Sequence, residues 1–243
     1  MIHKAFEIIE IVASKQANTI DSISAVSGIP RSTVHRILQI LQKEQIVINR
    51  PGHGYVLTSK LLSLGMRNVS EHELLDAAMP VMRELADVTK ETISLNVISG
   101  YERVCIFRIE GDQAITRNIR VGETAPLFRG SAGKVIAAGL TKKEADKILE
   151  KYVADGIFQA EELPEILHQI QIVREQGYAI STGERLKGSA SMAVPVKDVM
   201  GNVAASLSIA SIESRYTEEN RKRYLQLLLE ATRQISSNNG ILS

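Results

Sequence analysis

The sequence predicts an α+β chain of two domains joined by a helix. Three observations carry that expectation. Two short amphipathic helices meet at Gly28, a strand, Gly-rich turn and strand follow them at once, and a later series of strands in hairpins has helices before and after it. At 243 residues the chain is long enough for two cores. The expected division is 1–58 for the first domain, 59–71 for a linker helix and 72–243 for the second domain.

The first helix is expected over Ile2 to Lys15, with Phe6, Ile8, Ile9, Ile11 and Val12 apolar. That is more apolar surface than one face of a small domain needs, so part of it is available to a second copy of the chain. Thr19 is placed to cap the next helix, where Ile20, Ile23 and Val26 recur at helical spacing. Gly28 supplies the left-handed corner, Ile29 fills the angle, and Pro30 suits the first turn of the following helix. Val34, Ile37, Leu38 and Leu41 form the buried stripe of that helix. Arg31, Ser32, Thr33, His35 and Arg36 remain outward near its start, groups able to bond phosphates and base edges. Val47 to Leu57 then reads as a β-hairpin with Arg50, Gly52, His53 and Gly54 at its tip. This is a winged helix-turn-helix, and its candidate contacts to a double-stranded DNA operator are Thr19, Arg31, Ser32, Thr33, His35, Arg36, Arg50 and His53.

Composition limits the alternatives. Apolar residues make up 44% and charged residues 23%, ordinary values for a globular protein. Net charge is +1, divided as +3 over residues 1–71 and −2 over the rest, so the small basic excess lies with the helix-turn-helix. No apolar run approaches the roughly 20 residues of a membrane-spanning helix, so no membrane partner is expected. Glu7, Glu10 and Lys15 interrupt the start of the chain and argue against a signal peptide. The single cysteine, Cys105, permits no internal disulfide and fits the reducing cytoplasm.

Beyond the wing, Thr58 is expected to cap a linker helix from about Ser59 to Ser70. Leu74 to Lys90 reads as an amphipathic helix that tolerates Pro80. Thr92–Ser99 and Arg103–Glu110 form a hairpin about Gly100-Tyr101, and Ala114–Arg120 a third strand. Helices are expected over Ser131–Gly139, Lys142–Tyr152 behind the capping box Thr141 to Glu144, and Leu163–Gln176 up to Gly177. Strands follow at Tyr178–Thr182, Ser189–Lys197 and Val203–Ala210. The last helix, capped by Thr217, closes the pattern.

In Val203–Ala210, alternation puts Val203, Ala205, Leu207 and Ile209 on one face and Ala204, Ser206, Ser208 and Ala210 on the other. The second face is small and polar, which leaves room for a ligand. Gly130 to Lys134 departs from a phosphate loop, since Phe128 and Val135 stand where glycine and a hydroxyl residue are needed. A Gly-rich helix start remains, whose N–H groups can hold a carboxylate. Catalytic and metal-binding patterns are absent from the sequence: the five histidines lack ligand spacing, and Cys105 has no evident base. No cofactor is expected. An enzyme, or a winged-helix interaction protein without specific DNA binding, stands as the alternative to a regulator.

Taken together the chain resembles the IclR family of bacterial transcription regulators. The resemblance rests on Gly28-Ile-Pro-Arg-Ser-Thr-Val-His-Arg36 and Gly54-Tyr-Val-Leu57. In the second half it rests on Val121-Gly122, Pro126-Leu127, Ser131-Ala-Gly-Lys134, Gly177-Tyr-Ala179, Ala193-Val-Pro-Val196 and Ala205-Ser-Leu-Ser-Ile209. It implies a winged helix-turn-helix, a linker helix and a GAF-like effector-binding domain with an antiparallel sheet. It further implies repression as the commoner behaviour, homodimers or dimers of dimers, and a small organic-acid effector. The implied effector contacts are Leu127, Arg129, Ser131, Ala132 and Gly133, with Ser181, Ser189, Ser191, Ser208 and Ala210 on the strands. The chain departs from members that bind small oxo-acids: Ser181 and Ser191 replace an Asp and a Cys, and Ala210 replaces a Ser. Serine in the Cys position is also found in members that respond to aromatic acids.

Overall fold

The computed structural model describes residues 1–65, 69–113, 120–184 and 186–238, which divide into two compact units, Met1–Val69 and Ser70–Ser243. The first unit contains α1 (Ile2–Ala13), α2 (Ile20–Ser27), α3 (Arg31–Lys43), β1 (Val47–Arg50), β2 (Gly54–Leu57) and α4 (Lys60–Gly65). Thr19 caps α2 in a reciprocal box with Ser22, and Gly28 ends it at φ 69°. Ile8, Ile23, Val34, Ile37, Leu38 and Val47 form the centre of a core that Ile29 and Tyr55 complete. Val26 corrects the helical reading of α2. It is 52% exposed, because the core covers the side of the helix carrying Ile20 and leaves Val26 in solvent.

The wing is an antiparallel pair running from Val47 opposite Leu57 to Arg50 opposite Gly54. Its tip is fastened by a residue upstream of α2. The Asn18 carbonyl accepts the Tyr55 amide at 2.7 Å, and Asn18 Nδ2 donates to the His53 carbonyl at 2.8 Å. A Cβ at Gly54 would lie 2.3 Å from the Asn18 carbonyl oxygen, so this glycine is required by packing as well as by its φ of 66°. Thr58 Oγ1 accepts the Lys60 amide and so caps α4.

The second unit comprises most of α5 (Val69–Thr89), then β3 (Thr92–Ser99), β4 (Glu102–Ile109), β5 (Thr124–Pro126), α6 (Gly130–Gly139), α7 (Lys142–Ala154), α8 (Leu163–Gln176), β6 (Ala179–Thr182), β7 (Ser189–Lys197), β8 (Val203–Ile212) and α9 (Glu218–Asn238). The helix expected from Leu74 begins at Val69. Of the strand expected at 114–120, residues 114–119 lie outside those described, as do 66–68 of the expected linker. The six strands form one antiparallel sheet in the order β5-β4-β3-β8-β7-β6.

Alternation along the central strands sorts the sheet into two different faces. Val203 departs from the expected pattern: the register shift at Val196/Lys197 turns it under α6, on the face opposite to Ala205, Leu207 and Ile209. Ile93, Leu95, Ala205, Leu207, Met192 and Val194 join Met82 and Leu85 of α5 and Tyr224 and Leu228 of α9 in the main core. The opposite face carries Thr92, Ser94 and Asn96 on β3, Ser206 and Ser208 on β8, and Ser191 on β7, all buried. A hydroxyl-lined layer under a helical roof is unusual for a core, and it is what positions the site.

Candidate nucleic-acid interface and ligand site

In the first unit the exposed face of α3 presents Arg31, Ser32, His35 and Arg36, with Thr33 half-buried beside them. Arg31 is not loose: its guanidinium meets the Asp21 carboxylate of α2 at 2.6 Å. Thr19 is engaged in capping α2, which fixes the α2–α3 corner. At the wing tip Arg50 and His53 are exposed, and the His53 ring nitrogen lies 3.2 Å from the Pro51 carbonyl. The arrangement offers two separate groups of exposed cationic and polar side chains, one on a helix and one on a β-turn. A helix of this kind can enter a major groove while the turn follows the backbone. Asn18, which anchors the wing, was not among the residues singled out from the sequence. Its partners are 35 and 37 positions away, a relation that local spacing does not encode.

In the second unit α6 lies over the hydroxyl-lined face. Ala132 and Val135 pack on Ala179 and Ala193, and a hydrogen bond of 2.8 Å runs from Ser131 Oγ to Ser191 Oγ. Ser191 stands opposite Ser181 on β6 and opposite Ala210 on β8, so these positions form one row across the sheet. Ser131, Ser181, Ser191 and Ala210 are brought together in this way, with Ala132 and Gly133 in the roof. Ser208 lies one row along, 2.8 Å from Ser94 Oγ. Of the remaining expected contacts, Leu127 and Arg129 point elsewhere, and Ser189, on the same face of β7 as Ser191, is bonded locally. Leu127 is buried in the apolar cluster with Ile148 and Phe158. Arg129 sits 4.5 Å from the Phe158 ring centre and 3.4 Å from the Glu162 carboxylate. Ser189 Oγ donates back to the Leu186 carbonyl.

The electrostatics of the layer come from residues that spacing alone did not select. Glu184, beyond the end of β6, reaches the start of α6. One of its oxygens accepts the Gly130 amide at 3.0 Å and the other meets the Lys134 ammonium at 2.6 Å. A carboxylate of the chain therefore sits where the helix start favours negative charge. Across the sheet, Arg103 is buried on β4 and donates to Asn96 Oδ1 at 2.7 Å, and Asn96 Nδ2 donates to Ser94 Oγ. Ser206 Oγ is buried with no hydrogen-bond partner among the described residues. A signal for this line was present: Thr92, Ser94 and Asn96 alternate with Ile93, Leu95 and Val97, the same polar-in pattern read on β8. Burial pushes the Cys105 thiol up, with Arg103 pulling the other way, so the sulfur stays a neutral thiol rather than a reactive thiolate. Among the described residues no cluster of three metal-ligating side chains occurs, and no helix is long and apolar enough to cross a membrane.

Comparisons with known proteins address both units. Residues 2–51 match the model of the IclR helix-turn-helix domain. Residues 66–237 match that of the bacterial transcriptional regulator IclR C-terminal domain. The chain is 33% identical over 243 residues to the HTH-type transcriptional regulator KdgR of Escherichia coli, covering 98% of this chain and 91% of that protein. It superposes on the IclR of Thermotoga maritima with a TM-score of 0.76 at 25% identity, covering 98% of each chain. An IclR homologue from Microbacterium hydrocarbonoxydans, solved in complex with 4-hydroxybenzoate, has the same fold at a TM-score of 0.79, 20% identity and coverage of 96% and 98%. With a family model matching each half and a relative of this identity along nearly the whole length, the chain belongs to the IclR family of transcriptional regulators, which bind DNA through the helix-turn-helix.

Proposed function

We propose that the protein is a cytoplasmic transcriptional repressor that releases its operator when a small organic acid binds in the second unit. The observation that carries this reading is the Ser131–Ser191 contact, because it joins a helix start to a buried row of hydroxyls, the chemistry that orients a small polar acid. In this reading residues 1–58 bind DNA, 59–71 link, and 72–243 hold the effector. Arg31, Ser32, Thr33, His35 and Arg36 contact the major groove, Arg50 and His53 the flanking backbone, and Thr19 a phosphate at the start of α2.

The effector's carboxylate is placed over the α6 start at Ser131, Ala132 and Gly133, with Ser181, Ser191 and Ser208 bonding its polar groups. Replacement of a carboxylate by Ser181 lowers the repulsion an anion meets there, and Lys134 balances the charge of Glu184, which holds the Gly130 amide at the same helix start. An aromatic acid is the class favoured, and a structural neighbour that holds 4-hydroxybenzoate supports it. Two copies are needed, since one helix-turn-helix reads too short a site to select it alone; a homodimer, or a dimer of dimers, reads two half-sites. Met1, Ile2 and Phe6 of the first unit are exposed and supply apolar surface for that contact.

The experiment is a mobility shift with the chain's own upstream DNA against an unrelated fragment of equal length. A regulator retards the first at concentrations that leave the second free. Equal retardation of both identifies a winged-helix protein without operator specificity.

A further inference from the structure

The second unit holds a cavity of about 250 Å³ at the end of α6 away from Ser131. Val135, Ala138 and Gly139 of α6 form one wall, and Val173 of α8 with Pro195 and Val203 of the sheet form the others. Local structure accounts for the space. β6 starts at Ala179 opposite Ala193, so among the described residues β7 runs on through Val194–Lys197 without a strand on that side. Pro195 has no N–H to leave unpaired there. Gly139 keeps α6 close to the strand, because a Cβ would lie 2.5 Å from the Val203 side chain.

The polar groups at this cavity have one sign. Arg174 and Lys197 both line it, along with Asn202. Arg174 is held across the gap between α8 and α6 by bonds from Nε to the Ala138 carbonyl at 2.9 Å and from Nη2 to the Leu140 carbonyl at 3.0 Å. These bonds fix the guanidinium without neutralising it. The carboxylates adjacent in sequence are Glu175 and Asp198. Glu175 Oε1 accepts from Gln171 Nε2 along α8, and the Asp198 oxygens accept from Asn202 Nδ2 and from the Met200 and Asn202 amides within the β7–β8 turn.

We propose that this cavity is a second ligand site, separate from the serine layer, and that it takes a ring-sized amphiphilic carboxylate. The apolar walls receive the ring, and Arg174 and Lys197 hold the carboxylate. The volume is below the roughly 300–1,000 Å³ of pockets for drug-sized molecules, which sets the limit at about one ring and a short acid. Both sites lie on α6, one at each end.

The test is calorimetric titration of the full-length protein with benzoate, using benzamide and inorganic phosphate as controls. Benzoate is expected to bind wild type, and Lys197→Glu or Ala138→Leu to weaken this binding at least about tenfold by charge reversal and by filling. Ser191→Leu, which fills the serine layer, is expected to remove any benzoate bound there and to leave the component of binding that Lys197→Glu and Ala138→Leu weaken. Benzamide and phosphate are expected to bind at least about tenfold more weakly than benzoate, each lacking one half of the recognition. Lys197→Gln, with thermal unfolding of every variant, separates loss of the site from loss of the fold. Absence of benzoate binding to wild type overturns the proposal, as does phosphate binding as tightly as benzoate. Loss in Ser191→Leu with retention in both Lys197→Glu and Ala138→Leu also overturns it, while leaving the serine-layer reading intact.

Discussion

Arg31, the first residue of α3, is paired with Asp21 in the first turn of α2 at 2.6 Å. Both side chains are exposed, at 71% and 66%, so the pair adds little to stability. Its effect is on the charge offered to DNA, since Asp21 cancels one of the cations of the reading face. Asp21→Asn is expected to tighten binding to all DNA by a few-fold and to steepen the salt dependence by about one unit of slope. Binding isotherms over a series of salt concentrations measure both.

Arg31 and Arg36 are five positions apart on the exposed side of α3. One is expected to read a base edge and the other mainly a phosphate. Replacing the base-reading arginine with alanine should cost about 1–3 kcal/mol and relax specificity at one base pair, whereas losing the phosphate contact weakens every sequence alike. Specific binding retained in the double alanine variant refutes the assignment of α3 as the reading helix.

Phe6 is 59% exposed and Ile2 77%, four residues apart on α1, where they form an apolar stripe. Phe6→Glu is expected to shift the protein toward monomer in sedimentation and to lower operator affinity at least about tenfold. A wild-type monomer at micromolar concentration with full DNA affinity contradicts the dimeric reading.

Tyr224 of α9 packs in the main core with its hydroxyl 3.3 Å from the Glu91 carboxylate, which Arg215 also holds at 2.8 and 2.9 Å. Burial first, and then the Glu91 charge, push the Tyr224 hydroxyl from 10.0 up to about 12. The folded state therefore keeps a proton that the unfolded chain releases first. Its stabilising effect is whole below pH 10 and is lost as pH rises toward 12. Urea unfolding across this range should show a steeper alkaline decline in wild type than in Tyr224→Phe. Equal slopes contradict the assignment.

Much of the fold was legible because its signals are local. The Thr19 cap, the Gly28 corner and the stripe from Val34 to Leu41 specify the helix-turn-helix within 23 residues. α8 and β7 have the bounds that Gly177 and the alternation of Ser189–Lys197 indicate. β5 was missed because three residues, Thr124–Pro126, are too few to show a period. α5 begins five residues earlier than expected, at Val69, since Ser70 to Glu73 contains no residue that stops a helix. The candidate site was legible only in part. Alternation found Ser206 and Ser208, and the family resemblance supplied Ser131, Ser181 and Ser191, but the Glu184 bonds to Gly130 and Lys134 span 54 and 50 positions, and the Arg129 contact with Glu162 spans 33. Such pairings are fixed by the packing of α6 on the sheet, which single-chain periodicity does not contain.

Fluorescence anisotropy of a labelled operator, titrated with wild type and with Ser191→Leu in the presence and absence of an aromatic acid that acts on wild type, tests the account most directly. Ser191 is buried under Ser131, so leucine there fills the hydroxyl row while α3 and the wing are untouched. The account predicts that the acid releases the operator from wild type, and that Ser191→Leu binds the operator within a few-fold of wild type but no longer responds. Release of the variant at the same acid concentration as wild type would contradict it, and would place the effector site outside the serine layer.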